Sequence, residues 1–512
     1  MTEINLKRAS HASILLMGFV VFKSLLGLVL KRTIAGDFGA GIETDAYFAA
    51  FTIPQQLGDF VVGGIIFKVV IPVFQQRRED VGDQEAIKDV SGILNFSALI
   101  LLFITVAYYF LIPYIIPLLF SGFDSETMQL TLSLSRWLSP AIILMGLSLI
   151  YVAFYHAHKS FLVPAISTLM FPISSLIALY ALPQEWGIMR LVYGNLIGVS
   201  IGIFFLILFL QDKFHWSWNW NLANPALKTT TMVAWPLLIG NLIGKIIPFV
   251  QKNAASQLPN PGNLSLLEYA FFLSGTVLIF IASPVTTAIF PLMGEQKARG
   301  DEKALIETFH QSVKVVVFLA LPCAIFFAME ANDIVALLLQ NGKFSTEDTQ
   351  VCANLIAIIA IMIVPQSINL VMANMFLVYK ETKIMAIEGS ILALISIPLY
   401  FILSKYLGIY GIAITYSAIY AIGAIINIMI LQIMHPQIIS SSSFILIFKF
   451  FVATLLMGCS IYILRYYTIN INLIIRIVLV GGGASFTYLS VTHLLKISGL
   501  KFIFSRLLPK VF

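Results

Sequence analysis

Runs of about twenty apolar residues, joined by short links, take up nearly the whole of this chain and leave little polypeptide for anything else. Fourteen such runs lie near 12–36, 44–74, 90–119, 130–155, 161–182, 191–211, 232–252, 265–293, 308–329, 350–379, 384–404, 407–433, 444–464 and 473–495. Each matches the thickness of a bilayer, where a helix satisfies its own backbone. The expected fold is an all-α polytopic membrane protein with about fourteen transmembrane helices. Composition agrees: the 512 residues are 59% hydrophobic and 11% charged, against about 25% charged in soluble domains. No link is long enough to hold a catalytic domain, so an enzyme is not expected.

Lys and Arg set the orientation. With the N-terminus inside, the inner segments collect Lys7, Arg8, Arg77, Arg78, Lys297, Arg299, Lys380, Lys383 and the basic tail from Lys496 to Lys510. The outer segments hold few cations, among them Lys31, Arg32, Lys252, Lys343 and Arg465. Both termini are expected in the cytoplasm. The +6 net charge follows this topology and requires no nucleic acid. The first apolar run is read as a retained helix, because no small-residue cleavage site follows it. Trp216, Trp218 and Trp220 after the sixth run suit an inner interfacial belt.

Charges inside the first two runs are the exception to this apolar pattern. Lys23 lies deep in the first, and Asp45, Asp59 and Lys68 lie along the second. A charge at membrane depth costs roughly 3 kcal/mol on insertion scales, so such groups face a watery cavity or a partner. Lys23 therefore either meets an anion in a cavity or pairs with Asp45 or Asp59. Lys31 and Lys68, nearer the run ends, can also snorkel.

The chain repeats itself after about 220 residues. Gly18 and Lys23 recur as Gly240 and Lys245, Lys31 as Lys252 and Tyr47 as Tyr269, with Asp45 lying near the position of Glu268. Pro72 before Gly82-Asp83 recurs as Pro291 before Gly300-Asp301, and Leu118-Leu119 before Gly122 as Leu338-Leu339 before Gly342. Two parallel six-helix lobes are expected, 1–222 and 223–440, with two further helices and a basic cytoplasmic tail at 441–512. Transporters built this way bind near the midplane between their halves and expose either face in turn. Candidate anion-binding cations are Lys23, Lys31, Lys68, Lys245 and Lys252. Asp45, Asp59 and Glu268 are candidates for charge pairing or ion coupling. Pro54, Gly63, Gly64, Pro236, Pro248 and Pro284 mark helices that can bend beside the cleft.

Several motifs carry no chemistry. Gly198-Val-Ser-Ile-Gly202 has the spacing of a nucleophile elbow but lies inside an apolar run with no strand before it. With Gly194 it reads as a small-residue face for close helix contact. His156 and His158 lack further ligands, and Cys323, Cys352 and Cys459 lie in apolar runs, so neither metal nor disulfide is expected. Without a nucleotide-binding loop, no cofactor is expected, and energy would come from an ion gradient or the membrane potential.

The stretch Phe38 to Pro54 (FGAGIETDAYFAAFTIP), the IPVF ending the second run and the NGKF from Asn341 to Phe344 resemble the MurJ/MviN family. That family comprises flippases for the peptidoglycan precursor lipid II, within the MOP exporter superfamily. The resemblance implies a multi-pass protein of the bacterial cytoplasmic membrane. It would carry a polyprenyl-diphosphate saccharide from inner to outer leaflet, with membrane lipids around it and cell-wall synthesis enzymes as possible partners. The arginines that line the cavity in that family fall here on Ser24, Leu30, Gly58 and Phe272, none of them basic, while Asp45 is retained. Either the charge has moved to Lys23, Lys31, Lys245 and Lys252, or the cargo is another lipid-linked saccharide of the O-antigen or capsule type. A non-transporting scaffold for cell-wall enzymes is the third alternative.

Overall fold

The structure, a computed structural model, describes residues 3–58, 71–158, 160–210, 217–221, 244–436, 438 and 441–497. Among the described residues there are helices and turns and no strand. Eleven of these helical stretches, from Asp83–Leu119 to Leu473–Leu494, are long and apolar enough to cross a membrane. Each overlaps one expected span. Of the other three, 12–36 lies within α1 (Glu3–Phe38). The remaining two, 44–74 and 232–252, run partly over residues outside the described set. Asp59, Gly63, Gly64, Lys68, Trp216 and Pro236 also lie outside it.

The chain divides into two compact units, Met1–Ser265 and Leu266–Phe512. After α1, the first unit holds α2 (Ile42–Gly58), α3 (Ile71–Val81), α4 (Asp83–Leu119), α5 (Ser125–Leu138), α6 (Pro140–Ala157), α7 (Leu162–Ser167), α8 (Met170–Ala181), α9 (Met189–Leu208) and α10 (244–256). α11 (Asn263–Ala298) starts at the boundary. The second unit continues with α12 (Glu302–Met329), α13 (Ala331–Leu338), α14 (Thr346–Ile359), α15 (Ile363–Val378), α16 (Thr382–Leu407), α17 (Ile409–Met434), α18 (Ser441–Thr468) and α19 (Leu473–Leu494).

Local chemistry accounts for the breaks. The expected span 130–155 is two helices, because Ser139 ends α5 and Pro140 occupies the first position of α6, where no backbone bond is lost. The Asp124 carboxylate caps α5 by accepting from Thr127 N–H at 3.0 Å. At the matching place in the second unit, Ser345 and Asp348 form a reciprocal capping box at the start of α14. A 3₁₀ turn (Ala360–Met362) then leads into α15. Pro365 falls in the first turn of α15 and is tolerated for the same reason. Pro54 and Pro284, by contrast, sit inside α2 and α11, which run on past them.

Both units turn into their next long helix through a glycine with positive φ, Gly82 (85°) and Gly300 (72°). A basic residue reaches across each turn to an acid at the helix start: Arg78 to Asp83 at 2.5 Å, and Lys297 to Glu302. Aligned on the two glycines, the second ion pair lies one residue further along the chain than the first, so the turn recurs with a similar but shifted ion pair.

The glycine face on α9 packs as the sequence suggests. A Cβ on Gly194 would lie 2.7 Å from Ser175 Cα, and one on Gly198 would lie 2.8 Å from Phe171 Cα. Gly198→Leu is therefore expected to force α8 and α9 apart and cost about 1–3 kcal/mol or more. Thermal unfolding in detergent would show this, with no such loss for Gly482→Ala because nothing lies within 4 Å of the added carbon.

In the second unit, the hairpin α18–α19 lies against α12. Phe318 packs with Phe450, Met457, Val480 and Tyr488, and the Tyr488 hydroxyl donates to the Phe318 carbonyl at 3.0 Å.

Candidate functional site

The loop before α2 and the loop before α11 meet, with every residue of the contact in the first unit. Gly262 holds φ 94°, and a Cβ there would come within 2.6 Å of the Ala40 carbonyl oxygen, so only glycine fits. A chain of hydrogen bonds crosses the contact. Gly41 N–H donates to Thr44 Oγ1 at 2.9 Å, the Thr44 hydroxyl donates to Ser265 Oγ at 3.1 Å, and the Ser265 hydroxyl donates to Asp45 Oδ1 at 2.6 Å.

Asp45 is 4% exposed. Besides the Ser265 hydroxyl it accepts two backbone donors, Gly262 N–H on Oδ2 and Ser265 N–H on Oδ1, each at 2.7 Å. Its carboxylate thus covers the open amides at the start of α11, where unpaired N–H groups and the helix dipole favour negative charge. The structure places Asp45 in this cap, and none of these donors is a lysine.

Two of the candidate cations come together on α2. Lys31, half-buried on α1, sets its Nζ 3.9 Å from the centre of the Phe48 ring. Lys252, half-buried on α10, donates to Thr52 Oγ1 at 2.5 Å and to the Phe48 carbonyl at 3.3 Å. The ring and the carbonyl of one residue thus each meet a cation, one from each side of the sequence repeat. Lys23 stands exposed on α1, and Lys245 is half-buried on α10. Eight residues of helix separate Lys23 from Lys31, or about 12 Å along the axis. Lys245 and Lys252 are two turns apart on one face of α10. Glu268 is half-buried on α11, and Pro248 is half-buried within α10.

Tyr47 behind this face is buried, and its hydroxyl accepts from Asn195 Nδ2 at 2.5 Å; Ser175 donates in turn to Asn195 Oδ1 at 2.8 Å. Arg190, 5% exposed, ties α9 to α1. It donates to the Leu179 carbonyl at 2.6 Å and to the Gly187 carbonyl at 3.1 Å, and pairs with Asp37 at 3.2 Å. His158 packs tilted against the Phe154 and Phe74 rings, and its Nδ1 lies 3.0 Å from the Phe154 carbonyl, which is a helix-end role. The tryptophan segment is pinned along α4: Asn95 donates to the Ser217 and Asn219 carbonyls at 3.1 Å, and Trp220 meets Phe96 edge-on.

Sequence reading passed over Glu388, which lies within an apolar run on α16. Asn427 Nδ2 reaches its Oε1 at 3.4 Å and Asn369 Oδ1 at 3.3 Å, joining three helices. A lone acid inside an apolar run was the available signal.

Membrane-length helices joined by short turns define a multi-pass α-helical membrane fold. The chain aligns with an inward-facing multidrug resistance MATE family transporter of the MOP superfamily at a TM-score of 0.67, with 14% identity, over 82% of this chain and 97% of that one. A solved lipid II flippase MurJ in an inward closed conformation aligns at 0.82, with 21% identity, over 94% and 98% of the two chains. The family model described as lipid II flippase MurJ matches residues 34–479, and the chain belongs to that family. It is 25% identical over 441 residues to a probable lipid II flippase MurJ of Bdellovibrio bacteriovorus, covering 84% of each. Another from Buchnera aphidicola subsp. Acyrthosiphon pisum is 24% identical over 507 residues, covering 94% of this chain and 96% of that one.

Proposed function

We propose that this protein is a lipid II flippase of the bacterial cytoplasmic membrane, with both termini in the cytoplasm. It moves the saccharide-diphosphate headgroup from inner to outer leaflet by alternating access while the isoprenoid tail stays in lipid. The family match over residues 34–479 carries this reading. The cations supply its chemistry. A diphosphate presents several anionic oxygens, which point charges on long stems can follow as the site changes shape. Lys31 and Lys252, half-buried against Phe48, are the first contacts in this scheme, with Lys23 and Lys245 further along the same two helices. Membrane potential or an ion gradient supplies the energy.

Functional replacement tests the reading. The chain is expressed in a bacterium whose own lipid II flippase can be shut off, and outer-leaflet lipid II is assayed. Restored growth with lipid II exposed outside is the expected result. A second cargo, another polyprenyl-diphosphate saccharide, is favoured by one observation: Ser24, Leu30, Gly58 and Phe272 stand where the resemblance leads to cavity arginines. Absence of lipid II outside, despite good membrane expression and with such a saccharide translocated instead, would establish that alternative.

A further inference from the structure

At the end of α12, opposite the basic turn at 297–303, the chain buries an acid that no donor meets. Glu330 directly follows Met329, is 0% exposed, and neither of its carboxylate oxygens has a hydrogen-bond partner. The charged groups acting on it are Asp333 on α13, Arg465 on α18 and Arg476 on α19. Both guanidinium groups are engaged elsewhere. Arg465 Nη1 donates to the Met329 carbonyl at 2.9 Å. Arg476 Nη2 donates to Asp333 Oδ1 at 2.7 Å, and its Nε lies 2.5 Å from Oδ2.

An ionised carboxylate enclosed without donors is costly, and removing the charge relieves the cost. The packing observed here therefore suits the neutral acid. Burial is the largest influence and pushes the Glu330 carboxyl above its usual range; Arg465 opposes this, Asp333 adds to it and Arg476 opposes it.

We propose that Glu330 is a proton-binding site that sets how firmly the α18–α19 hairpin is held to the end of α12. With the proton on Glu330, Arg465 stays on the Met329 carbonyl. When the proton leaves to water, an unpaired charge is left in the enclosed site, and the opening that lets water reach it loosens the joint. The apolar contacts of Phe318 with Phe450 and Tyr488 keep the rest of the hairpin in place, so the change is local. The sign follows from the raised acid. Its stabilising contribution is complete below the ordinary carboxylate range and is lost as pH rises through the raised value.

Hydrogen exchange on the full chain in lipid nanodiscs, corrected for intrinsic chemical rates, tests this at about pH 5 and about pH 8. Wild-type amides at 331–338 and 464–478 are expected to exchange about tenfold faster at the higher pH. Glu330→Gln should stay slow at both. Glu330→Met provides the same neutral state should the amide disturb folding. Arg465→Gln should exchange fast at both, and amides at 480–488 should not respond in any variant. Unchanged wild-type exchange, or pH dependence retained in both neutral variants, would overturn the proposal. The readout is independent of cargo, so it stands or falls separately from the flippase reading.

Discussion

Asp45→Ala is expected to destabilise the first unit by about 3–6 kcal/mol, because three buried donors lose their acceptor at once. The Gly262 and Ser265 amides and the Ser265 hydroxyl all converge on this carboxylate at 2.6–2.7 Å, and water has no route to replace it in a group 4% exposed. Thermal unfolding in detergent measures the loss. Asp45→Asn keeps one good acceptor but turns an amide NH2 toward a donor, so it should lose roughly half as much. Transport separates the two roles open to this residue. If Asp45→Ala unfolds at the wild-type temperature yet no longer transports, the carboxylate serves ion coupling and the cap is incidental.

The second large effect concerns the cations around Phe48. The Lys31→Ala, Lys252→Ala double variant is expected to reduce the appearance of lipid II in the outer leaflet by about 100-fold or more, since each charge-assisted contact contributes roughly 1.5–3 kcal/mol. Single variants should lose less, and Lys→Arg should keep most of the activity. Lys252 also bridges α10 to α2 through Thr52 and the Phe48 carbonyl, so unfolding temperature must be measured beside transport. A folded double variant that transports normally removes these lysines from the diphosphate contact. The same assay on Lys23→Ala and Lys245→Ala shows whether the repeated pair in mid-span shares that work.

Most of the helix pattern could be read from the chain because lipid imposes a length and a polarity that few other environments demand. Eleven expected spans overlap helices of membrane length, and the glycine turns at 82 and 300 recur with similar but shifted ion pairs. The division of 130–155 into two helices was harder to see. Pro140 can kink a continuous helix or start a new one, and here the Ser139 N–H and hydroxyl both turn back to the Arg136 carbonyl, three residues earlier. The charged groups were legible as a set, since any acid or lysine in an apolar run is conspicuous. Their pairings were not. Asp45 and the lysines offered several combinations of opposite charge, and the structure instead gives Asp45 to backbone amides more than 200 positions away. Glu330 escaped notice because a residue at a helix end is ordinarily wet, and only the packing of α13, α18 and α19 around it makes it dry.

The sequence by itself determined that this is a multi-pass α-helical protein, that it repeats, and that charge lies where lipid should be, because hydrophobic length and residue order are properties of the chain. Only the tertiary structure decided which charges meet. Contacts such as Asp45 with Gly262, Lys252 with Phe48 and Arg476 with Asp333 join residues far apart in the chain. Each depends on a distance of a few ångströms that side-chain spacing along a helix does not encode.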